Sequence, residues 1–155
     1  MASVAWASPT GAPPAALKTE TGIEALNQTA THDLESRQWQ DSWSCGESRA
    51  GVVGLAGLQK IHAGFNHVFG DPKLRIAMNQ CYTAKCHGLY FAVCNAGSGA
   101  VTEVPNARNE AKNKDPKNGY NCAWSPFKNM YQPYYFGTGS LDLDSRRWKQ
   151  DIRNC

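Results

Sequence analysis

The sequence lacks the features that mark membrane-spanning and common catalytic proteins. No stretch approaches the roughly 18 consecutive apolar residues of a transmembrane helix. The Gly-x-Ser-x-Gly, phosphate-loop and His-Glu-x-x-His motifs are missing, as is the Cys-x-x-Cys spacing of zinc knuckles and thioredoxin-like sites. We therefore expect no transmembrane segment, no cofactor and no bound metal, and a protein that works without catalysis is favoured.

A strong charge of one sign is also missing. The net charge is +3, and it divides into −2 for residues 1–37 (two basic against four acidic residues) and +5 for the remainder. This basic excess is too small for a dedicated nucleic-acid binder, so no nucleic-acid partner is expected. It suits contact with acidic cell-wall polymers or anionic membranes.

Cysteine, in contrast, is plentiful in the later part of the chain. The six cysteines are Cys45, Cys81, Cys86, Cys94, Cys122 and Cys155. An even number of cysteines in a short chain predicts a disulfide framework, which forms in oxidising compartments and indicates a secreted, extracellular protein. Each bridge would contribute roughly 2–4 kcal/mol. The pairing stays open, although the close group in the middle of the chain must send at least one member to a cysteine outside it.

Composition divides the chain at residue 37. Residues 1–37 have no cysteine and few large apolar side chains, which is typical of a linker or propeptide. Ala5-Trp6-Ala7 either resembles the end of a secretory signal or matches by chance, and the string at 34–38 indicates either processing after Arg37 or an ordinary polar linker. We expect a flexible tail over 1–37, a signal remnant or propeptide, and a disulfide-stabilised domain over 38–155.

The domain is predicted to begin with a helix over about residues 49–65, with Ser48 as its cap. Its apolar residues recur at three- and four-residue steps and make one buried face: Leu55, Leu58, Ile61, Phe65 and Val68. Four glycines interrupt this pattern. They favour close packing of the helix on a sheet over a glycine stripe that approaches a membrane or partner.

Alternating apolar residues predict strands around 74–79, 89–94, 101–104, 120–124 and 134–136, with 81–88 as a connecting turn. Asp144 or Ser145 is expected to cap a short C-terminal helix in which Trp148 and Ile152 face inward. The expected fold class is therefore α+β. It consists of an antiparallel sheet with one longer helix and one short C-terminal helix packed on it, stapled by disulfides.

The polar segment 105–119 is the first candidate for a functional surface. It has no large apolar side chain apart from prolines, and its cations are Arg108, Lys112, Lys114 and Lys117. A polar segment of this length in a compact domain is either a functional loop or a solvated one. The functional interpretation is a basic contact surface for an anionic partner.

Two other residue groups offer alternatives. His62, His67 and His87, with Lys85 or Arg75 as the cation, have the residue types of a ribonuclease-type acid–base site, although nothing in their spacing selects that arrangement. The aromatic residues of the later strands are expected to lie mainly in the hydrophobic core. If they were exposed and coplanar, they would instead form a sugar-stacking platform. They are Trp124, Tyr131, Tyr134, Tyr135 and Phe136.

Residues 38–155 resemble, in style, the small cysteine-rich secreted proteins of filamentous fungi. The resemblance rests on the string at 34–38, the six cysteines, the pattern of one helix with antiparallel strands, and the terminal Cys155. This group includes plant-pathogen effectors and virally encoded killer-toxin-like proteins. The resemblance implies a non-enzymatic virulence or antagonism protein, made as a precursor and held by disulfides, and it transfers no functional residue.

The leading hypothesis from the sequence is therefore an effector or toxin-like protein that binds a host protein or a cell-surface component. It is expected to be a monomer and to act outside the producing cell, in the host apoplast or inside a host cell. The alternatives are a secreted ribonuclease or hydrolase, and a module that binds cell-wall carbohydrate.

Overall fold

A computed structural model describes residues 40–48, 54–127 and 131–155 of the chain. The predicted tail over 1–37 lies outside these described residues. Within them the chain forms, in order, β1 (Ser44–Ser48), α1 (Leu55–Phe69), β2 (Arg75–Ile76), β3 (Gln80–Cys86), β4 (Leu89–Cys94), β5 (Val101–Thr102), α2 (Ala107–Asn113), β6 (Gly119–Trp124), β7 (Tyr134–Thr138) and β8 (Lys149–Asn154).

Six of these strands form one sheet in the order β1-β6-β7-β4-β3-β8, and β2 and β5 form a separate antiparallel pair. Every neighbouring pair in the large sheet is antiparallel except β3 and β8, which run parallel. The prediction of an α+β fold with a mostly antiparallel sheet is thus confirmed. One face of the sheet packs against α1, and this face supplies most of the core.

Helix α1 confirms the predicted buried face. Leu58, Ile61 and Phe65 are fully buried, and the ring of Phe65 meets the ring of Phe91 on β4 edge to face, with centroids 5.3 Å apart. This helix has Gly54 as its N-cap, and the predicted cap Ser48 is instead the last residue of β1. It ends at Gly70, whose φ of 77° belongs to the left-handed region that glycine adopts without a steric penalty.

The predicted C-terminal helix is wrong. The backbone N–H groups of Arg147 and Trp148 do donate to the carbonyl oxygen of Asp144, at 3.0 and 2.9 Å, so one turn forms where the capping residue was placed. The chain then extends as β8, because its backbone groups pair with β3 in a parallel ladder. As a result Ile152 is 51% exposed and does not face inward, and the second helix of the described chain is α2, in the middle of the sequence.

The prediction of a connecting turn over 81–88 is also wrong, because this segment is mostly the strand β3, and only the residues after Cys86 turn. Two cysteines and a lysine hid the period-two pattern. Side chains of β3 nevertheless alternate between the faces, and Tyr82 and Ala84 belong to the core side.

All six cysteines are paired, which confirms the predicted disulfide framework. Cys45–Cys122 joins β1 to β6 and Cys81–Cys94 joins β3 to β4, and in both bridges the two residues lie opposite each other in an antiparallel ladder. Cys86–Cys155 joins the end of β3 to the last residue of the chain. This bridge is the one that leaves the central cysteine group, as the sequence required.

Close packing against a disulfide explains why position 64 of α1 is a glycine, and it leads to a first prediction. A methyl group on Gly64 would lie 2.6 Å from Sγ of Cys155 and 2.8 Å from Sγ of Cys86, which is closer than such atoms approach. We expect Gly64→Ala to lower the free energy of unfolding by about 1 kcal/mol, because overpacking of about 1–3 kcal/mol exceeds the helix-propensity gain. Denaturant unfolding measures this difference. Ala63→Ser, at the exposed neighbouring position, is the control and should change stability little; an equal loss in both variants would contradict the packing argument.

Candidate functional site

The predicted basic contact surface is divided by the structure. Its segment contains helix α2, and this helix turns Ala107, Arg108 and Ala111 into the interior. Arg108 is therefore not part of any contact surface, since its side chain is completely buried. The three lysines remain at the surface, where Lys112 and Lys114 are half-buried and Lys117 is exposed.

Arg108 instead forms the centre of a buried polar network. Its Nε and Nη2 donate to the two carboxylate oxygens of Glu103, at 2.9 and 2.5 Å. Its Nη1 donates to Oδ1 of Asn66 at 2.8 Å and to the backbone oxygen of Gly70 at 2.7 Å. The hydroxyl of Tyr134 donates to Oε1 of Glu103 at 2.8 Å. This network ties α2 to the C-terminal end of α1 and to β7.

The network has a structural role, because each charge in it has a specific partner. A bidentate pair between arginine and a carboxylate offsets much of the cost of removing both ions from water. The guanidinium also lies over the ring of Phe65, 4.7 Å from its centroid. Burial, followed by the charge of Glu103, raises the pKa of Tyr134 well above its usual value, so the phenol stays protonated and able to donate.

The end of this segment, from Asp115 to Lys117, borders an open cleft beside β1, which we call the lysine cleft. It has a volume of about 460 Å³, and its lining includes Trp43, Cys45, Asp115, Pro116 and Lys117. The exposed cation of this lining is Lys117, and the carboxylate of Asp115 accepts a hydrogen bond from the backbone N–H of Lys117 at 2.8 Å. The cleft therefore presents both signs of charge on one rim.

The walls of the lysine cleft are held rigidly. Cys45 is bonded to Cys122 across the β1–β6 ladder, and Nε1 of Trp43 donates to the backbone oxygen of Ala111 at 3.0 Å. Lys117 and Asn118 both adopt positive φ, 49° and 60°. Asparagine tolerates this conformation, but it is unfavourable for lysine, and such unfavourable conformations are often found at functional sites. Sequence polarity indicated this segment, but it did not show that a disulfide-bonded strand forms the opposite wall.

The three histidines of the ribonuclease hypothesis are not equivalent. His62 is buried on the core side of α1, with its ring edge to face against Phe91 at 5.7 Å, whereas His67 and His87 are exposed. Burial, and then the charges of Lys112 and Arg108, lower the pKa of His62 to about 4. Lys85, one predicted cation, lies on the opposite face of the sheet and donates to Oγ of Ser140 at 2.7 Å. His62 and Lys85 therefore lie on opposite sides of the sheet and do not form an acid–base pair.

The aromatic residues of the later strands are mostly core. Trp124, Tyr134 and Phe136 are at most 1% exposed, and Trp43 packs against both Trp124 and Phe136 with centroids 6.3 and 6.2 Å apart. Tyr131 is 70% exposed. These residues therefore do not form the coplanar exposed platform that sugar stacking would need.

Tyr135, one of the predicted aromatic residues, and Tyr90 of β4 line a cleft on the sheet face opposite α1, which we call the tyrosine cleft. Its volume is about 270 Å³, and Tyr90, Tyr135, Asn121, Ser140 and Asp142 contribute to its lining. The hydroxyl of Tyr90 donates to Oδ1 of Asn121 at 3.1 Å, and Asn121 has a φ of 51° within β6. Burial, followed by the nearby Tyr135, raises the pKa of Tyr90 to about 12. Of these two tyrosines, Tyr135 belonged to the aromatic group identified in the sequence, whereas Tyr90 was visible only as a residue that alternates with core residues on β4.

Glycine makes the geometry of the tyrosine cleft possible. A methyl group on Gly137 would lie 2.5 Å from the hydroxyl oxygen of Tyr90, so the absence of a side chain on β7 lets the Tyr90 ring lie over this strand. Within the described ranges, no cluster of three or more His, Cys, Asp or Glu residues is placed to hold a metal ion. No helix in the same ranges is long and apolar enough to cross a bilayer.

Comparison with known proteins leaves the function to be argued from these residues. The chain matches no protein-family model, no curated protein and no solved structure.

Proposed function

We propose that this protein is a secreted effector or toxin-like protein that binds a host protein or cell-surface component through the rim of the lysine cleft. The observation that carries the proposal is the turn at Lys117 and Asn118, which holds an exposed cation in an unfavourable backbone conformation beside an open cleft. A rigid, preorganised surface loses less conformational entropy on binding. The three disulfides and the resemblance to fungal secreted proteins support an extracellular place of action.

The partner surface that fits Lys117 together with the two neighbouring lysines of the segment is predominantly acidic. Lys117 and the half-buried Lys112 and Lys114 belong to one segment, and the domain carries the basic excess of the chain. Charges of this kind steer association and set specificity more than they add affinity. Binding is therefore expected to weaken as the salt concentration rises.

The second prediction tests this surface with a charge-matched pair of variants. We expect Lys112→Gln/Lys114→Gln/Lys117→Gln to bind about tenfold more weakly to intact plant cells, because three ion pairs at the surface contribute roughly 0.5 kcal/mol each. Binding of fluorescently labelled protein is measured at several concentrations, and the tissue response is recorded in parallel. Intrinsic fluorescence and thermal unfolding establish that the variant is folded.

The control removes the same charge elsewhere. Lys60, Lys73 and Lys149 are exposed and lie outside the lysine cleft, so Lys60→Gln/Lys73→Gln/Lys149→Gln should bind nearly as well as the parent. Equal weakening of both triple variants would show that net charge alone matters. Unchanged binding of the first variant would exclude this rim as the interface.

A second candidate function is recognition of a neutral saccharide in the tyrosine cleft. The observation that favours it is the combination of two tyrosines with an amide, a hydroxyl and a carboxylate around one concavity, since small-ligand sites join an apolar wall to a few polar groups. Retention on chitin or glucan tests it. Tyr135→Ala should abolish retention, and a parent protein that passes through both matrices would eliminate this candidate.

A further inference from the structure

The three disulfides differ in how much of each lies at the surface. Cys81, Cys94 and Cys122 are fully buried. The bridge between Cys86 and Cys155 has one half-buried and one exposed member, and the exposed one is the last residue of the chain. Because reduction begins when a thiolate reaches one sulfur of the bridge, access decides which disulfide reacts first. By the exposure of its two residues, Cys86–Cys155 is the most accessible of the three, although one side of its sulfur atoms is covered by Gly64 of α1.

This bridge fastens a largely exposed strand at one edge of the sheet. β8 lies at the sheet edge and pairs with β3 alone, and four of its six residues are exposed. Besides the parallel ladder, Arg153 anchors β8 to α1, because its guanidinium donates to the backbone oxygen of Val68 at 2.7 Å and lies 4.5 Å from the ring centroid of Phe69. Segments with few buried apolar contacts open at the lowest free-energy cost.

Strand β3, which pairs with β8, is held in the sheet independently of β8. Thr83 on β3 is 1% exposed and lies opposite Ile152 of β8, while the other side of β3 is joined to β4 by a full antiparallel ladder and the buried Cys81–Cys94 bridge. Departure of β8 would leave a five-stranded sheet with β3 at its edge. Unpaired backbone groups at such an edge accept an extended segment of another chain.

We propose that Cys86–Cys155 is a reducible clasp, so that a low-molecular-weight thiol of the glutathione class releases β8 while the other two bridges persist. A thiolate attacks Sγ of Cys155, forms a mixed disulfide with it and expels Cys86 as a thiolate, which takes up a proton. A second thiol molecule then attacks the mixed disulfide, frees the Cys155 thiol and leaves as the oxidised disulfide of the reductant. Two electrons thus pass from two thiols to one bridge. The clasp goes beyond the proposed binding function and does not depend on it.

The test measures which cysteines become reactive in the folded protein. Full-length protein is equilibrated with increasing reduced glutathione, free thiols are alkylated, and the modified cysteines are identified by peptide mass. We expect Cys86 and Cys155 to be alkylated at a glutathione concentration about tenfold below that needed for the other four cysteines. Hydrogen exchange at that concentration should accelerate in 149–154 and remain slow in β4 and β7.

A pair of variants distinguishes the effect of losing the Cys86–Cys155 bridge from a general destabilisation of β8. Cys86→Ser/Cys155→Ser should show fast exchange of β8 amides without reductant, and Ile152→Ala, which leaves the bridge in place, should not. Simultaneous reduction of all three bridges, earlier reduction of Cys45–Cys122, or persistent protection of β8 after its bridge is reduced would each overturn the proposal. The order of alkylation in the parent protein decides the matter even if the double variant does not fold.

Discussion

Replacing Arg108 with methionine is expected to lower the free energy of unfolding by about 3–5 kcal/mol, the typical cost of removing one partner of a buried ion pair. The guanidinium makes two hydrogen bonds to Glu103 and one each to Asn66 and Gly70. Methionine has a similar length but no donor, so the Glu103 carboxylate would remain buried without its cation. Denaturant unfolding with the disulfides intact measures the loss.

Two further variants distinguish the ion pair from simple damage to the helix. Lys112→Met lies one turn further along α2 at a half-buried position and should change stability by less than about 0.5 kcal/mol. Glu103→Gln/Arg108→Met removes both charges and should be more stable than Arg108→Met alone, because no uncompensated ion remains. A double variant that is no better than the single one would show that the network does not act through charge.

The sequence predicted best those elements whose pattern reports burial directly. Leu58, Ile61 and Phe65 recur at helical spacing and do face the sheet, and the six residues of β4 were recognised by alternation. The predictions at 81–88 and at the C-terminus were wrong because β3 and β8 form strands through pairing with neighbouring strands, which a local sequence pattern does not show. β3 has its partners on both sides, and β8 is an exposed strand whose pairing with β3 has no local apolar signature.

Arg108 shows why the candidate site was harder to predict. In the sequence it is one of four cations in a polar segment, and nothing local distinguishes it from Lys112, Lys114 and Lys117. Its burial depends on Glu103, five residues earlier, and on Asn66 and Gly70, which are distant in sequence. A buried ion pair is specified by tertiary geometry, so a composition argument placed the arginine on the surface.

Acidification is expected to destabilise the protein through His62. Its pKa is about 4 in the folded protein, below the 6.5 of an exposed histidine, because of burial and then the charges of Lys112 and Arg108. The unfolded chain therefore binds a proton before the folded protein does. The contribution of neutral His62 to the free energy of unfolding is complete above pH 6.5 and is lost as the pH falls to about 4. The loss is about 3 kcal/mol, since each pKa unit corresponds to about 1.36 kcal/mol.

Comparison of two histidine variants assigns this loss to the buried residue. Unfolding free energies are measured from pH 7 to pH 4 for the parent, for His62→Gln and for His67→Gln, the latter at an exposed position on the same helix. His62→Gln should be less stable at pH 7, because it removes the packing of a buried ring. It should lose much less stability on acidification, because glutamine does not titrate. His67→Gln, which removes an exposed imidazole from the same helix, is the control and should follow the parent. If His62→Gln keeps the full pH dependence of the parent, groups other than His62 drive the acid destabilisation.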